Sequence, residues 1–283
     1  VNLGIKRLSL DEKMSGFSLK KMSLKLVANN KQTSIDNFAI ELPETSLKMD
    51  TIHLVYDSLQ AFEHFAEEVH FSFRTLPSQI TLKDISPFVP VLSHFKEPIT
   101  LDMEVKGTVD QLNCSHLEIV SEEQQFRLRG DVSLQDLSHP QDAYVYGTLS
   151  ELSANTRGVG FLVRNLNPDY NGVPPILERL GNISFRGEIS GYFTDLVTYG
   201  QLRTSLGDVK TDLKLSADKS KGLFAYSGAV KTTDFKLGEL LANEQLGEIT
   251  FNLDVHGRHI TNQRPTVELK GLIASIDYSR YRY

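Results

Sequence analysis

The sequence predicts an all-β protein: an elongated, curved antiparallel sheet with one apolar face, accompanied by a few short helices. The first observation is that apolar and polar residues alternate along most of the 283 residues, which is the period of strands with one buried face. The second is that short helical stretches and turn residues separate the alternating runs. The third is that a helix followed by Leu-Gly and a strand recurs, which favours a repetitive sheet over an ordinary sandwich.

The recurring unit is clearest over residues 235–257. Four apolar residues at helical spacing predict a short helix: Phe235, Leu237, Leu240 and Leu241. The strand that follows has one apolar and one polar face. Ile249, Phe251, Leu253 and Val255 alternate with Thr250, Asn252, Asp254 and His256. We expect Gly257 to end this strand, because glycine adopts a left-handed turn conformation at no steric cost.

Alternating runs in the first half of the chain predict a meander of antiparallel strands. The phase of the alternation slips by one residue at Lys20–Lys21 and again near Asp50. A slip of this kind is typical of a β-bulge, which keeps the apolar residues on one face of the sheet. Ile99–Gly107 has one of the clearest one-face-apolar patterns in the chain.

Short helices are predicted between the alternating runs. Residues 58–68 carry apolar side chains at helical spacing, and Ser58 is a candidate N-cap. A second helix is predicted to begin after Ser86, with Pro87 at its first position, where proline has no hydrogen bond to lose. A loop and a third helix are predicted within residues 155–166.

The strongest cluster of turn residues is 167–175, with the sequence NPDYNGVPP. We divide the chain there into a β-meander with short helices, residues 1–166, and a helix–strand repeat part, residues 167–283, that is continuous with the first. Leu180–Phe185 matches Leu246–Phe251 position by position, and Pro98–Leu101 is a weaker copy. Alternation is still running at the last residues, so we expect the chain to be a fragment of a longer polypeptide.

Composition disfavours several functions. The chain has 30 Lys and Arg against 36 Asp and Glu, a net charge of −6, whereas proteins that bind nucleic acid usually present a basic face. No nucleic-acid partner is therefore expected. The single cysteine, Cys114, allows neither an intramolecular disulfide nor a cysteine-based zinc site, and a half-buried apolar role is favoured for it over a nucleophile.

Motifs that carry chemistry are weak throughout the chain. His256 and His259 flank Gly257, so a metal pair is possible, but an exposed turn is favoured. Ser190 lacks the spacing of a nucleophile elbow, and Gly158 and Gly160 lack the third glycine of a dinucleotide loop. No Trp occurs, and the aromatic residues, mostly Phe on apolar faces, do not predict an exposed platform for sugars or bases. We predict a protein that is not an enzyme, with no catalytic residue, metal or cofactor.

A sheet with unequal faces must cover its apolar face. A second sheet would give a sandwich, and the sheet rolled on itself would give a barrel or a half-pipe with an apolar interior. An uncovered trough would be a place for acyl chains. The predicted lining of this groove is Ile99, Leu101, Met103, Val105, Phe126, Leu128, Val132, Ile183, Phe185, Ile249, Phe251, Leu253 and Val255. The polar residues predicted to face water include Asp102, Glu104, Arg127, Arg129 and Asp254.

Three stretches carry a family resemblance. Leu8–Leu19 has the sequence LSLDEKMSGFSL, Leu42–Leu47 has Pro43 followed by Thr45 and Ser46, and Phe235–Phe251 contains the helix, Leu-Gly and strand. Together they resemble the AsmA/TamB-like envelope proteins of diderm bacteria, in particular a fragment of a TamB-type translocation and assembly module. The similarity extends over most of the chain in style, with its specific anchors at residues 8–19 and 235–257.

The resemblance implies a very long protein that is anchored in the inner membrane by a helix absent from this sequence. Its strands would form a β-taco, a taco-shaped periplasmic groove that reaches toward the outer membrane. It also implies roles in outer-membrane biogenesis, in the assembly of outer-membrane proteins and in phospholipid transport. The implied partners are phospholipid acyl chains and an outer-membrane assembly barrel protein, the latter bound through a part of the chain that is not present here.

A second class of function remains open from the residues alone: a closed β-sandwich that binds protein or glycan in the cell envelope. Geometry discriminates the two classes. A continuous apolar trough favours lipid conduction, whereas a closed core with a small polar pocket favours the interaction module.

Overall fold

Alternating residues form strands along most of the computed structural model, which describes residues 1–14, 16–87, 92–93, 95–139, 142–166, 172–218, 222–260, 264 and 266–283. Strands account for 64% of the chain and helices for 14%, against about 20–25% strand in an average globular protein. All of the strands belong to one long antiparallel sheet of 17 strands with a few short helices. The all-β prediction is therefore confirmed.

The strands follow one another as a meander. They are β1 (Asn2–Asp11), β2 (Ser18–Ala28), β3 (Gln32–Glu41), β4 (Ser46–Met49), β5 (Ile52–Val55), β6 (His70–Ile80), β7 (Ile99–Gly107), β8 (Gln111–Ser121), β9 (Phe126–Gln135), β10 (Tyr144–Ala154), β11 (Ile183–Tyr192), β12 (Asp195–Thr204), β13 (Gly207–Asp218), β14 (Leu223–Lys236), β15 (Leu246–Ile260), β16 (Thr266–Tyr278) and β17 (Tyr281–Arg282). From β6 onward each strand pairs with the next along the chain. Between β3 and β6, the two short strands β4 and β5 share one place in the sheet.

Both predicted slips in phase are irregularities of the sheet. In the pairing of β1 with β2, Leu8 lies opposite Met22 and Leu10 opposite Leu19, so one extra residue is accommodated at Lys20–Lys21. Near Asp50 the chain leaves β4 and resumes as β5. In both places the apolar residues stay on the same face of the sheet, because the extra residues absorb the change of phase.

Short helices lie at the turns of the meander. The α-helices are α1 (Phe65–Glu68), α2 (Thr156–Leu166), α3 (Pro175–Arg179) and α4 (Leu237–Leu241), and 3₁₀ helices cover Leu59–His64, Leu82–Ile85 and Glu122–Gln124. Helix α2 follows β10, α3 precedes β11 and α4 follows β14. Because neighbouring strands are antiparallel, these three strand ends lie at the same end of the sheet, which we call the helical end. No helix in the described ranges has the length and apolarity needed to cross a lipid bilayer.

Two apolar clusters form at the helical end. In the first, Phe161 and Val159 of α2 pack on Phe126, Ile99 and Ala154 where β9, β7 and β10 begin or end. In the second, Phe235 of β14 and Ile249 of β15 pack with Leu206 from the hairpin between β12 and β13. A third cluster, formed by Tyr56, Ala61 and Val69, lies at the opposite end of the sheet beside the 3₁₀ helix Leu59–His64, so described apolar clusters occur at both ends.

Several local predictions need correction. Phe235 is buried in β14, which ends at Lys236, so it is not part of the helix, which begins at Leu237. Leu241, the last residue of α4, is exposed. Gly257 does not end β15, which continues to Ile260. Ser58 precedes a 3₁₀ helix, but its side chain makes no capping hydrogen bond.

Other predictions concern residues that the structure does not describe. The helix predicted after Ser86 falls on residues 88–91, which lie outside the described residues, and the nearest described helical turn is Leu82–Ile85. Residues 167–171 of the turn cluster and Ser15 of the first resembling stretch lie outside them as well. Across the turn cluster, β10 pairs directly with β11, while the division of the chain into two parts stays a prediction.

Candidate functional site

Pairing between strands places the predicted groove residues on one face of the sheet. Residues directly opposite each other in an antiparallel pair project to the same side. A single row of such partners connects Leu101 to Phe251 through Ile119, Leu128, Leu152, Phe185, Leu202, Val209 and Thr232. A second row connects Val105 to Val255 through Cys114, Val132, Gly147, Ile189, Thr198, Leu213 and Gly228. We call the surface that these rows define the apolar face.

Burial varies along the apolar face. Ile99, Val105, Phe126 and Ile249 are buried. The other predicted lining residues, which are Leu101, Met103, Leu128, Val132, Ile183, Phe185, Phe251, Leu253 and Val255, are half-buried, and none is exposed. The half-buried side chains are therefore partly accessible from this face. Whether this surface lines a lipid path stays a prediction.

The described strands form one continuous sheet. Among the described residues, the extensive contacts between strands are all between strands that pair in the sheet. This arrangement differs from a sandwich, in which strands of two sheets pack across a shared core. The described strands therefore contain no separate second sheet, and the binding module considered with the sandwich stays a prediction. Away from the helical end, burial on the apolar face is uneven: Val105, Cys114 and Leu149 are buried, whereas other residues of the same face are half-buried.

Glycines recur on the apolar face. The strand glycines whose partners place them there are Gly107, Gly130, Gly147, Gly187, Gly191, Gly200, Gly228, Gly257 and Gly271. Neighbouring rings lie over some of them: a Cβ at Gly257 would be 2.1 Å from Tyr226 Cζ, and one at Gly200 would be 2.6 Å from Phe185 Cζ. Strand glycines permit close approach and bending, so their position favours curvature toward this face.

Charged residues lie on the opposite face, which we call the polar face. Asp102, Glu104, Arg127, Arg129 and Asp254 are all there, as predicted from their alternation with apolar residues. Of these, however, only Asp254 is exposed, and the others are half-buried because their side chains lie along neighbouring strands.

Ion pairs across strands account for much of that half-burial. The Arg129 guanidinium is 2.7 Å from the Glu118 carboxylate and 3.6 Å from that of Glu151. The ammonium of Lys106 is 2.6 Å from a carboxylate oxygen of Glu104, and this hydrogen bond lowers the pKa of Glu104 below its usual value. The Arg129 pairs cross strands, whereas Lys106 and Glu104 lie two residues apart in β7. Partly exposed pairs of this kind contribute little each to stability.

The surroundings of Cys114 favour a structural role over a reactive one. Cys114 is buried on the apolar face opposite Val105 and Val132, and burial raises the pKa of its thiol to about 11. This environment disfavours the thiolate, so the predicted apolar role fits.

The other motifs also sit in regular structure. His256 and His259 lie inside β15 on opposite faces, so the predicted exposed turn is wrong: the alternation of the strand runs through Gly257. In the described ranges, no group of three or more His, Cys, Asp or Glu side chains is arranged to hold a metal ion. Ser190 projects from the polar face of β11, opposite Tyr146, and Gly158 and Gly160 belong to α2.

Sequence reasoning missed a set of tyrosines on the polar face. Tyr144 and Tyr146 of β10, Tyr192 of β11 and Tyr199 of β12 all project from it. Tyr199 is 65% exposed, and Tyr146 and Tyr192 are about half exposed. The expectation that aromatic residues form no exposed platform is wrong for this region. The signal was present, because each of these tyrosines occupies a polar position in its alternating run.

Comparison with known proteins identifies no relative. No protein-family model, curated protein or solved structure matches the chain.

Proposed function

We propose that this chain is a non-enzymatic segment of an envelope protein, and that its apolar face holds or conducts phospholipid acyl chains. The observation that carries the proposal is the continuous, mainly apolar face that crosses the sheet from β7 to β15 and keeps side chains such as Leu101, Phe185 and Leu253 partly accessible. An apolar surface of this extent is a liability in water unless something covers it. An acyl chain is a flexible apolar ligand that fits a long surface with no specific polar partner.

The free energy expected for acyl-chain binding agrees with reversible binding. Each methylene transferred from water to an apolar surface contributes about 0.8 kcal/mol, so a partly enclosed acyl chain would be bound without being trapped. The lining offers half-buried side chains such as Met103, Leu253 and Val255, which are accessible to a ligand without unfolding. Movement along the face would meet the same kind of surface on each successive strand, as conduction requires.

The cellular setting is proposed on the family resemblance alone. In this setting the segment is periplasmic and belongs to a longer chain anchored in the inner membrane. It takes part in outer-membrane biogenesis and in the assembly of outer-membrane proteins. The assembly barrel protein of the outer membrane would be contacted by another part of that chain.

The direct test is photocrosslinking on two faces of one strand. Leu253 projects from the apolar face of β15, and its neighbour Asn252 is exposed on the polar face. A photoreactive residue at position 253 should crosslink to phospholipid in a diderm bacterial host, and one at position 252 should not. Mass spectrometry of the adduct identifies the lipid.

A charge test uses the same pair of faces. Phe251→Glu places a carboxylate on the apolar face, where an unpaired charge costs on the order of several kcal/mol. The amount of phospholipid that co-purifies with the protein should therefore fall sharply. Asn252→Glu adds the same charge to the polar face and should leave lipid content unchanged. Folding of both variants is checked by circular dichroism. A well-folded protein with no bound lipid and no crosslink at position 253 would refute the proposal.

A further inference from the structure

A groove runs along the β11–β12 hairpin on the polar face. It consists of three adjoining clefts of about 450, 50 and 550 Å³. Ser184 and Arg203 line both the first and the second cleft, and Arg186 and Gln201 line both the second and the third. From Asn182 to Glu188 in β11 the groove extends over roughly 20 Å, at about 3.4 Å per strand residue. We call it the hairpin groove.

Neutral hydrogen-bonding groups line most of the hairpin groove. The side chains of Asn182, Ser184 and Thr148 line it and make no hydrogen bond to another described residue. Each offers donor and acceptor capacity to a ligand. A surface of amides and hydroxyls suits a ligand that is itself rich in hydroxyl groups.

Two cations and an aromatic ring mark one end of the groove. Arg186 donates from Nε to the carbonyl oxygen of Ser150, at 2.9 Å, and this hydrogen bond does not use its terminal nitrogens. Neither Arg186 nor Lys210 forms an ion pair within the described residues. The two lie in one row of the sheet on either side of Gln201, and the exposed ring of Tyr199 stands beside them. This end can therefore accept both an anionic group and a flat apolar ring face.

The position of the groove argues against an extended peptide. A peptide that binds a sheet through its backbone needs an unpaired strand edge. Here β11 pairs with β10 and β12, and β12 pairs with β11 and β13, so the ladder of both strands is already used. Recognition must come from side chains, as in sheet surfaces that bind oligosaccharides.

We infer that the hairpin groove binds a linear acidic oligosaccharide. One pyranose ring stacks on Tyr199, its carboxylate meets Arg186 and Lys210, and the hydroxyls of the following sugars reach Ser184 and Asn182. Glu188, also at this end, accepts hydrogen bonds from sugar hydroxyls. This site is on the face opposite to the proposed lipid surface and does not depend on it.

The test is titration with defined tetrasaccharides, followed by calorimetry and by NMR of the β11 and β12 amides. A hyaluronan tetrasaccharide, which alternates uronate with N-acetylglucosamine, should bind more tightly than neutral chitotetraose. Tyr199→Ala should weaken hyaluronan binding about tenfold, in keeping with the value of one aromatic contact, whereas Tyr199→Phe should retain it. Arg186→Gln should remove the preference for the acidic sugar.

Controls separate the groove from the surrounding surface and from simple anion binding. Tyr146→Ala removes an exposed ring on the same face outside the groove and should change nothing. Glycerol 3-phosphate tests whether the cations recognise a free phosphate or a lipid headgroup. The inference is overturned if glycerol 3-phosphate binds while the tetrasaccharides do not. It is equally overturned if the folded protein binds none of the three, or if Tyr146→Ala weakens hyaluronan binding as much as Tyr199→Ala.

Discussion

Phe126→Ala should destabilise the helical end of the sheet. The Phe126 side chain is 5% exposed, and its ring stacks on that of Phe161 in α2 with the ring centroids 5.8 Å apart. Removal of a fully buried phenylalanine costs about 3–5 kcal/mol, and a ring pair contributes about 0.5–1.5 kcal/mol beyond its area. Because α2 can shift to fill part of the void, we expect a loss of about 3–4 kcal/mol in the free energy of unfolding.

The measurement is urea unfolding followed by circular dichroism, with hydrogen exchange of the α2 amides as a local readout. Exchange matters because a long sheet can open in parts, and α2 should then lose protection before the strands distant from it. The control is Phe193→Ala in the β11–β12 turn, where the ring is 51% exposed and the change should stay within about 0.5 kcal/mol. Equal midpoints and equal α2 protection for the two variants would refute the assignment of Phe126 to a core beneath α2.

Two further predictions concern titration. His139 Nδ1 lies 2.8 Å from Asp136 Oδ1, and this hydrogen bond raises the pKa of the imidazole above 6.5. The stabilisation that this pair gives to the turn is therefore complete below the unfolded pKa of His139 and is lost as the pH rises through the folded pKa. NMR titration should show a lower His139 pKa in Asp136→Asn than in the original protein. An unchanged pKa would contradict the pairing. Cys114, whose pKa is raised to about 11 mainly by burial, should react with iodoacetamide far more slowly in the folded protein than in urea, and equal rates would show that the thiol is accessible.

Faces of the sheet were the most predictable feature, because the alternation within each strand fixes which residues share a side. Leu101 and Phe251, in distant strands, reach the same face although no local signal connects them. The two residues share a face because the register between strands is strongly specified: a one-residue change would put a whole strand of apolar residues into water. Bulges such as that at Lys20–Lys21 preserve this agreement, and they too leave a visible slip in the sequence.

Local predictions failed where a distant residue decides the conformation. Gly257 resembles a strand end, but the ring of Tyr226 in the neighbouring strand lies over it, and the absence of a side chain is what that contact requires. Phe235 fits helical spacing with Leu237, yet it pairs with Ile249 as the last inward-facing residue of β14. In both cases the cross-strand partner is far away in sequence, so local spacing could not distinguish the alternatives.

The hairpin groove depends on register in a stronger way than the apolar face does. Tyr199 was assignable to the polar face from its own strand, but the row of Arg186, Gln201 and Lys210 requires three strands to align. Two-residue turns between β11 and β12 and between β12 and β13 set that alignment, since Tyr192 lies opposite Asp195 and Thr204 opposite Gly207. A one-residue slip at the second turn would send Lys210 to the apolar face. The cationic end of the groove is therefore a product of turn geometry, which the alternation of a single strand does not contain.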